Sequence, residues 1–240
     1  LNGKLLTSAA QNVREGDEVL VDGTPLKKAD RTRLWLYHKP TGLVTTHKDE
    51  KSRKTVFDTL PPNLPRVVSV GRLDLNSEGL LLLTNDGALA RDLELPSRGW
   101  QRKYRVRVHG RVDDARLSRL SHGVTVEGVR YGPIAAIVDD QAGGTKANTW
   151  LSVTLTEGKN REVRKVMEHL GLTVNRLIRV AYGPFQLGKL EEGTVEEIPR
   201  HILREQLGVK AETDEKDDPR AGWAKAKKRP APRPFEKARS

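Results

Sequence analysis

The chain has 240 residues, with 43 Lys or Arg against 32 Asp or Glu, a formal net charge of +11 at pH 7 and no cysteine. Disulfides, thiolate zinc sites and cysteine nucleophiles are therefore excluded, and no apolar stretch approaches the roughly 18 residues needed to span a bilayer. The charge points to a polyanionic partner. Leu1-Asn-Gly-Lys4 has neither the apolar core nor the cleavage site of a secretory signal, so nucleic acid is preferred over a membrane and the cytoplasm is the expected compartment.

Residues 1–29 read as short strands and turns. Asn2-Gly3 and Asp22-Gly23 are hairpin signals flanking Asp17-Glu-Val-Leu-Val21, and about 30 residues are too few for an independent core. Arg33-Leu-Trp-Leu-Tyr37 predicts a strand, and Pro61-Pro62 closes the segment that it opens. Val67, Val68 and Val70 predict another strand and Leu80 to Leu83 a third, with Gly71 to Gly79 a polar loop fixed at both ends. Asp86 is placed to cap a helix over Ala88 to Leu93, which Pro96 stops. Strict alternation from Tyr104 to His109 predicts a strand with one buried face.

Val112 to Leu120 reads as a short helix with Asp113 and Asp114 near its amino end. Val124 to Val138 predicts two strands around Tyr131-Gly-Pro133, Gln141 to Thr145 a flexible loop, and Trp150 to Leu155 a further strand. Asn160 to Leu170 is the strongest helical segment and ends at Gly171. Leu177 to Val180 and the segments up to Ile198 complete the sheet, and Pro199 to Leu207 is a last short helix. From residue 209 the chain is charged and, from Lys225 to Pro234, rich in Lys, Arg, Pro and Ala. So few apolar groups do not repay the ordering entropy, and a disordered basic tail is expected.

The six histidines show no metal-ligand spacing, and no HExxH, P-loop or Gly-x-Ser-x-Gly pattern occurs. His109 and His169 read as structural. What remains is carboxylate chemistry beside arginines and an aromatic ring. Arg72 and Asp74 lie on the loop between two buried strands, where catalytic groups tend to sit. Taken alone, Gly71 to Asp74 is equally a turn with a solvated charge. Tyr104 is equally a core tyrosine on an amphipathic strand. Arg161, Arg164 and Lys165 have the spacing of one solvated helix face or of a phosphate-binding ridge.

The length of the pattern decides more than its parts. Gly-Arg-Leu-Asp at 71–74, Gly-Leu-Leu-Leu at 79–82 and Thr84-Asn-Asp-Gly87 together resemble the signature of the RsuA/RluB-type pseudouridine synthases. Three further segments are similar to that family's motifs, in its order: Tyr37-His-Lys-Pro-Thr-Gly42, Arg102-Lys-Tyr-Arg-Val-Arg-Val108 and Thr156-Glu-Gly-Lys-Asn-Arg-Glu-Val-Arg-Lys-Val-Met167. The resemblance implies an α/β (α+β) catalytic domain over residues 32–208, with a mixed, largely antiparallel sheet and a basic cleft across it. Residues 1–29 look like the carboxy-terminal half of an S4-type RNA-binding domain, without the helical half that would carry most RNA contacts. Residues 209–240 form the basic tail. Deleting them is expected to flatten the dependence of RNA affinity on salt, measured as log K against log salt concentration; an unchanged slope would mean that the tail makes no phosphate contacts.

The activity implied is conversion of uridine to pseudouridine in folded RNA, a redox-neutral reaction that needs no cofactor and no metal. Asp74 would be the catalytic carboxylate, attacking C1′ or uracil C6, or removing the 2′ proton to give a glycal. Arg164 would hold it ionised. Tyr104 would stack on the flipped base, and Arg72 would fill the gap the base leaves. Leu177 or Ile178 would supply an apolar pocket wall, and Lys39, Arg102, Lys103, Lys159 and Arg161 would contact RNA. Lys54-Thr-Val-Phe-Asp58 and the Gly-Lys-Asn-Arg form of the last motif favour the branch acting on 23S ribosomal RNA over the 16S branch. The rival from another class is a non-catalytic RNA-binding or ribosome-assembly factor, which has no need of a carboxylate facing phosphates. The expected state is a monomer.

Overall fold

The computed structural model describes residues 1–208 apart from 9, 15, 27–29 and 140–147. The loop expected at 141–145 and the tail from 209 lie outside the described residues. In chain order the elements are β1 (Leu20–Val21), β2 (Thr24–Pro25), β3 (Leu34–Lys39), β4 (Val68–Val70), β5 (Glu78–Thr84), α1 (Gly87–Glu94), β6 (Arg102–His109), α2 (Asp114–Arg119), β7 (Val124–Val126), β8 (Val129–Tyr131), β9 (Ile134–Val138), β10 (Asn148–Leu155), α3 (Glu162–His169), β11 (Thr173–Tyr182), β12 (Phe185–Gln186), β13 (Val195–Glu197) and α4 (Arg200–Leu207).

The central sheet runs β13-β3-β5-β11-β6-β10-β9, with β4 also on β5 and β12 on β11. Every pairing in it is antiparallel except β5 with β11. This is the mixed, largely antiparallel sheet that the motifs imply. β5 is buried along its whole length, as a near-continuous apolar run should be when both sheet faces are covered. Leu80 and Leu82 enter one core with Leu34, Val70, Leu89 and Leu93, on what we term the back face. Leu81 and Leu83 enter another with Trp35, Tyr37, Val56 and Leu73, on the front. A third core lies under β6, β10 and β9, where α2 and α3 bring Leu117, Val163, Val166 and Met167 against Val106, Val108, Leu151 and Val153. Leu177 belongs to that third core, so it too is on the front.

The registers explain where a cleft opens. β11 pairs with β5 only at Glu78 and Gly79, and β4 pairs with it at Leu82 to Thr84. The two strands share one edge of β5 at opposite ends, and the sheet forks there. The chain from β4 to β5, residues 71–77, leaves at the fork. On the front face the fork separates two cores, and the groove between them runs across the sheet.

Local signals account for most element ends. Asp86 accepts from the backbone N–H groups of Ala88 and Leu89, and Asp113 from those of Ala115 and Arg116, satisfying donors left open at helix starts. Pro96 follows the end of α1. The segment 124–138 departs from expectation. It holds three strands rather than two, because Glu127 and Gly128 turn the chain with positive φ (49° and 77°) before Tyr131 is reached. The described residues of the segment 1–26 form the β1–β2 hairpin and turns, and Leu5, Val13, Val21 and Leu26 stay exposed, in keeping with a segment too short to enclose a core.

Candidate active site

The loop 71–77 carries Arg72 and Asp74 and is bonded to its surroundings on every side. Gly71 N donates to Glu94 Oε1 at the end of α1 (2.7 Å). Thr45 Oγ1 donates to Leu73 O (2.9 Å) and accepts from Leu73 N (3.3 Å). Gly42 N donates to Leu75 O (2.8 Å), and Ser77 N closes a turn onto Asp74 O (3.0 Å). Arg164, on α3, donates through Nη2 to Asn76 O (2.8 Å) and through Nη1 to Val174 O (3.2 Å). Leu73 itself is buried among Trp35, Tyr37 and Leu81. A carboxylate on such a loop cannot wander, which is the preorganisation that catalysis needs.

Asp74 faces a cleft of about 910 Å³. Its floor includes Tyr104 and Arg102 of β6 and Leu177 and Arg179 of β11. Arg72 lines one side, exposed and with no ion-pair partner among the described residues. The wall beyond comes from the segment 47–57, whose residues the sequence did not place at the site: His47 stacks on Phe57 with ring centroids 3.6 Å apart, and Asp49 pairs with Arg53. The volume lies at the upper end of the roughly 300–1,000 Å³ typical of small-ligand pockets. It leaves room beyond a single base.

The cation nearest the carboxylate is Arg161, whose Nη1 lies 3.9 Å from Asp74 Oδ2. Arg161 sits at the start of α3 in the left-handed region, φ 52° and ψ 27°. Arg164, the expected partner, is instead half-buried beneath the loop. Burial and the adjacent Arg161 charge push its guanidinium below the ordinary arginine value, and Asp74 acts in the opposite direction. Its direct bonds are to the backbone, at Asn76 O in the loop and Val174 O on β11, so it holds Asp74 through Asn76.

Three other expected contacts are placed elsewhere. Lys39 is fully buried and donates to Pro40 O (2.8 Å) and Ser77 O (2.9 Å), beneath the loop rather than on an RNA-facing surface. Lys103 lies on the back face of β6, since neighbours along a strand point to opposite sides and Arg102 and Tyr104 take the front. Ile178 joins the back-face core with Leu80 and Leu82, leaving Leu177 alone to line the cleft. Lys159 does line it, paired with Glu157 and 5.8 Å from the Tyr131 ring centre. Arg102 donates to Tyr182 OH (3.2 Å) and lies over the Tyr182 ring, as does Arg179. Arg179 also ties β11 to β5 by donating to Leu80 O (2.7 Å). Among the described residues no cluster of three or more His, Cys, Asp or Glu has the geometry to hold a metal ion. Nor is any described helix long and apolar enough to cross a membrane.

Residues 33–169 match the family model described as RNA pseudouridylate synthase. This chain belongs to that family. A Rickettsia felis relative, named an uncharacterised RNA pseudouridine synthase, is 47% identical over 203 residues, 85% of this chain and 86% of its own. A Haemophilus influenzae relative, named ribosomal large subunit pseudouridine synthase B, is 42% identical over 229 residues, 91% of this chain but only 63% of its own length. A crystal structure of a pseudouridylate synthase superposes with a TM-score of 0.65 at 25% identity, covering 85% of this chain and 86% of that one. The protein is an RNA pseudouridine synthase, an isomerase, with the fold of that family.

The buried Lys39 gives the synthase a pH signature. Burial pulls its pKa down to about 8, against the opposing pull of Asp74 and Glu78. Its folded-state value lies below its unfolded one. The folded protein therefore gives up this proton first, and stability rises with pH above about 8 as the buried charge is relieved. Between pH 7 and 9.5 the unfolding free energy of wild type is expected to gain about 2 kcal/mol relative to Lys39→Met, read from paired urea titrations. A constant difference would mean that Lys39 keeps an ordinary pKa.

Proposed function

We propose that this synthase isomerises a specific uridine of 23S ribosomal RNA in the Asp74 cleft. The observation that carries the reading is a carboxylate fixed by bonds to its own loop backbone in a cleft lined by arginines and a tyrosine. The target uridine leaves its stack at a cost of a few kcal/mol. Arg72, exposed at the rim and without an ion-pair partner among the described residues, is the cation that can slide into the vacancy. The extruded uracil lies against Tyr104, a stacking contact of roughly 1–3 kcal/mol, with Leu177 as the apolar wall. The N1–C1′ bond breaks, the uracil turns, C5 joins C1′, the C5 proton leaves and N1 takes up a proton. Asp74 acts in the bond-breaking stage, as nucleophile at C1′ or C6 or as base toward the 2′ proton. Arg161, 3.9 Å away, keeps a positive charge beside it. Arg102, Lys159 and Arg161 are the cleft cations available to phosphates.

The choice of large-subunit RNA is supported by the name of the Haemophilus influenzae relative and by the 54–58 segment, whose Phe57 forms the far wall of the cleft. The test is tritium release from 23S and 16S transcripts labelled at uridine C5. Release near one mole per mole of 23S RNA, with none from 16S, is the expected result. Release from 16S alone would move the substrate to the small subunit, and release from neither, free or assembled, would favour an RNA-binding factor.

A further inference from the structure

The half of the sheet formed by β6, β10 and β9 is covered on its front by α2 and α3, while α1 and α4 pack against the other half. On its back face no described helix lies. The registers place Lys103 opposite Thr154, Arg105 opposite Ser152 and Arg107 opposite Trp150, and across the other edge Arg107 faces Arg176 of β11. Ser152 in turn faces Ile137 of β9, which is 65% exposed.

An antiparallel sheet with one wet face is ordinary, and its outer positions then carry small polar groups and charges of both signs. This face departs from that in two ways. Among the described residues its cations outnumber its carboxylates four to two: Lys103, Arg105, Arg107 and Arg176, against Asp139, which pairs with Arg105 at 3.3 Å, and the buried Glu78, which pairs with Arg176. Among the described residues Lys103 and Arg107 have no ion-pair partner. The face also carries flat apolar surface in its middle, with the Arg105 guanidinium 4.9 Å above the Trp150 ring and Ile137 beside it. Cations that hold phosphates, interleaved with planar groups on which a base can stack, make a surface suited to RNA.

We infer that this back face is a second RNA-binding surface, which holds a stretch of the substrate RNA other than the one carrying the target uridine. It lies across the sheet from the Asp74 cleft, so a short stem-loop filling the cleft does not reach it, whereas a long RNA that wraps the domain edge does. The cleft then supplies the chemistry, and this face supplies affinity for the larger substrate.

The experiment compares Lys103→Glu/Arg107→Glu with Arg116→Glu/Arg119→Glu, which makes the same charge change at exposed positions on α2. Each is assayed on an isolated stem-loop and on a long fragment of the same RNA. The back-face variant is expected to lose at least five-fold more kcat/KM on the long RNA than on the stem-loop. Its salt slope for the long RNA should fall by about 2, one phosphate contact per cation removed. The α2 variant should treat both RNAs alike. Equal losses in the two variants, or equal losses on the two RNAs, would overturn the inference. A loss confined to protein-containing ribosomal particles would replace RNA with a protein as the occupant. Photo-cross-linking of wild type to long RNA containing 4-thiouridine tests the same surface without mutation: peptides from β6 and β10 should carry the cross-links, and their absence beside strong cleft cross-links would likewise overturn it.

Discussion

Asp74→Asn is expected to lower pseudouridine formation by at least roughly 10³-fold, the scale seen when a single essential catalytic group is removed. The change keeps the side chain's size and removes only its ability to ionise. The loop does not depend on that carboxylate. Its bonds run from backbone groups to Glu94, Thr45, Gly42 and Arg164. The contact of Asp74 with Arg161 is long, at 3.9 Å, and partly exposed, and such pairs contribute little to stability. The thermal midpoint should therefore stay close to wild type. RNA affinity should hold or rise, because a negative charge near phosphates has gone. Turnover within ten-fold of wild type, measured by tritium release, would remove Asp74 from the chemistry.

Gly79→Ala is expected to be the most damaging single methyl in the site. Gly79 has φ +102°, and a Cβ built there would lie 2.4 Å from Arg179 O and 2.7 Å from Arg179 N. Those are backbone atoms of β11 at the parallel pairing that defines the fork, so neither side can step aside cheaply. Strain at positive φ and overpacking combine to about 3 kcal/mol or more, a large share of the roughly 5–15 kcal/mol that holds a domain together. The urea midpoint should drop accordingly, and protein that still folds should show impaired turnover, since β11 lines the cleft and β5 anchors the end of the loop that carries Asp74. A midpoint within about 0.5 kcal/mol of wild type would mean that the strands are not in such close contact.

The elements were legible where one local rule dominated. The leucine run of β5, the alternation of β6 and the cap at Asp86 each announce their structure, because burial on two faces, burial on one face and an open helix start make different demands on sequence. The turn at Glu127-Gly128 was missed because glutamate rarely adopts positive φ, so the pair does not read as a hairpin.

The site was legible in its motifs and less so in its faces. Asp74, Tyr104, Arg72 and Leu177 converge on the cleft. Lys39 follows Trp35 and Tyr37 at every second position along β3, so strand parity already put it on the buried side. The same rule separates Lys103 from Arg102 and Ile178 from Leu177. Expectations drawn from motif membership alone ran against it. Arg161 in place of Arg164 beside Asp74 had no such signal, because it depends on how α3 begins. Nor did the His47–Phe57 stack, which joins residues ten apart through a loop of irregular geometry.

The most direct test of the central claim, that the Asp74 cleft isomerises one uridine in large-subunit RNA, is carbodiimide-blocked primer extension across 23S and 16S RNA incubated with wild type or Asp74→Asn. The account predicts a single new stop, in 23S RNA, present with wild type and absent with the variant. The same stop with both proteins, or none with wild type on free or assembled RNA, would contradict it.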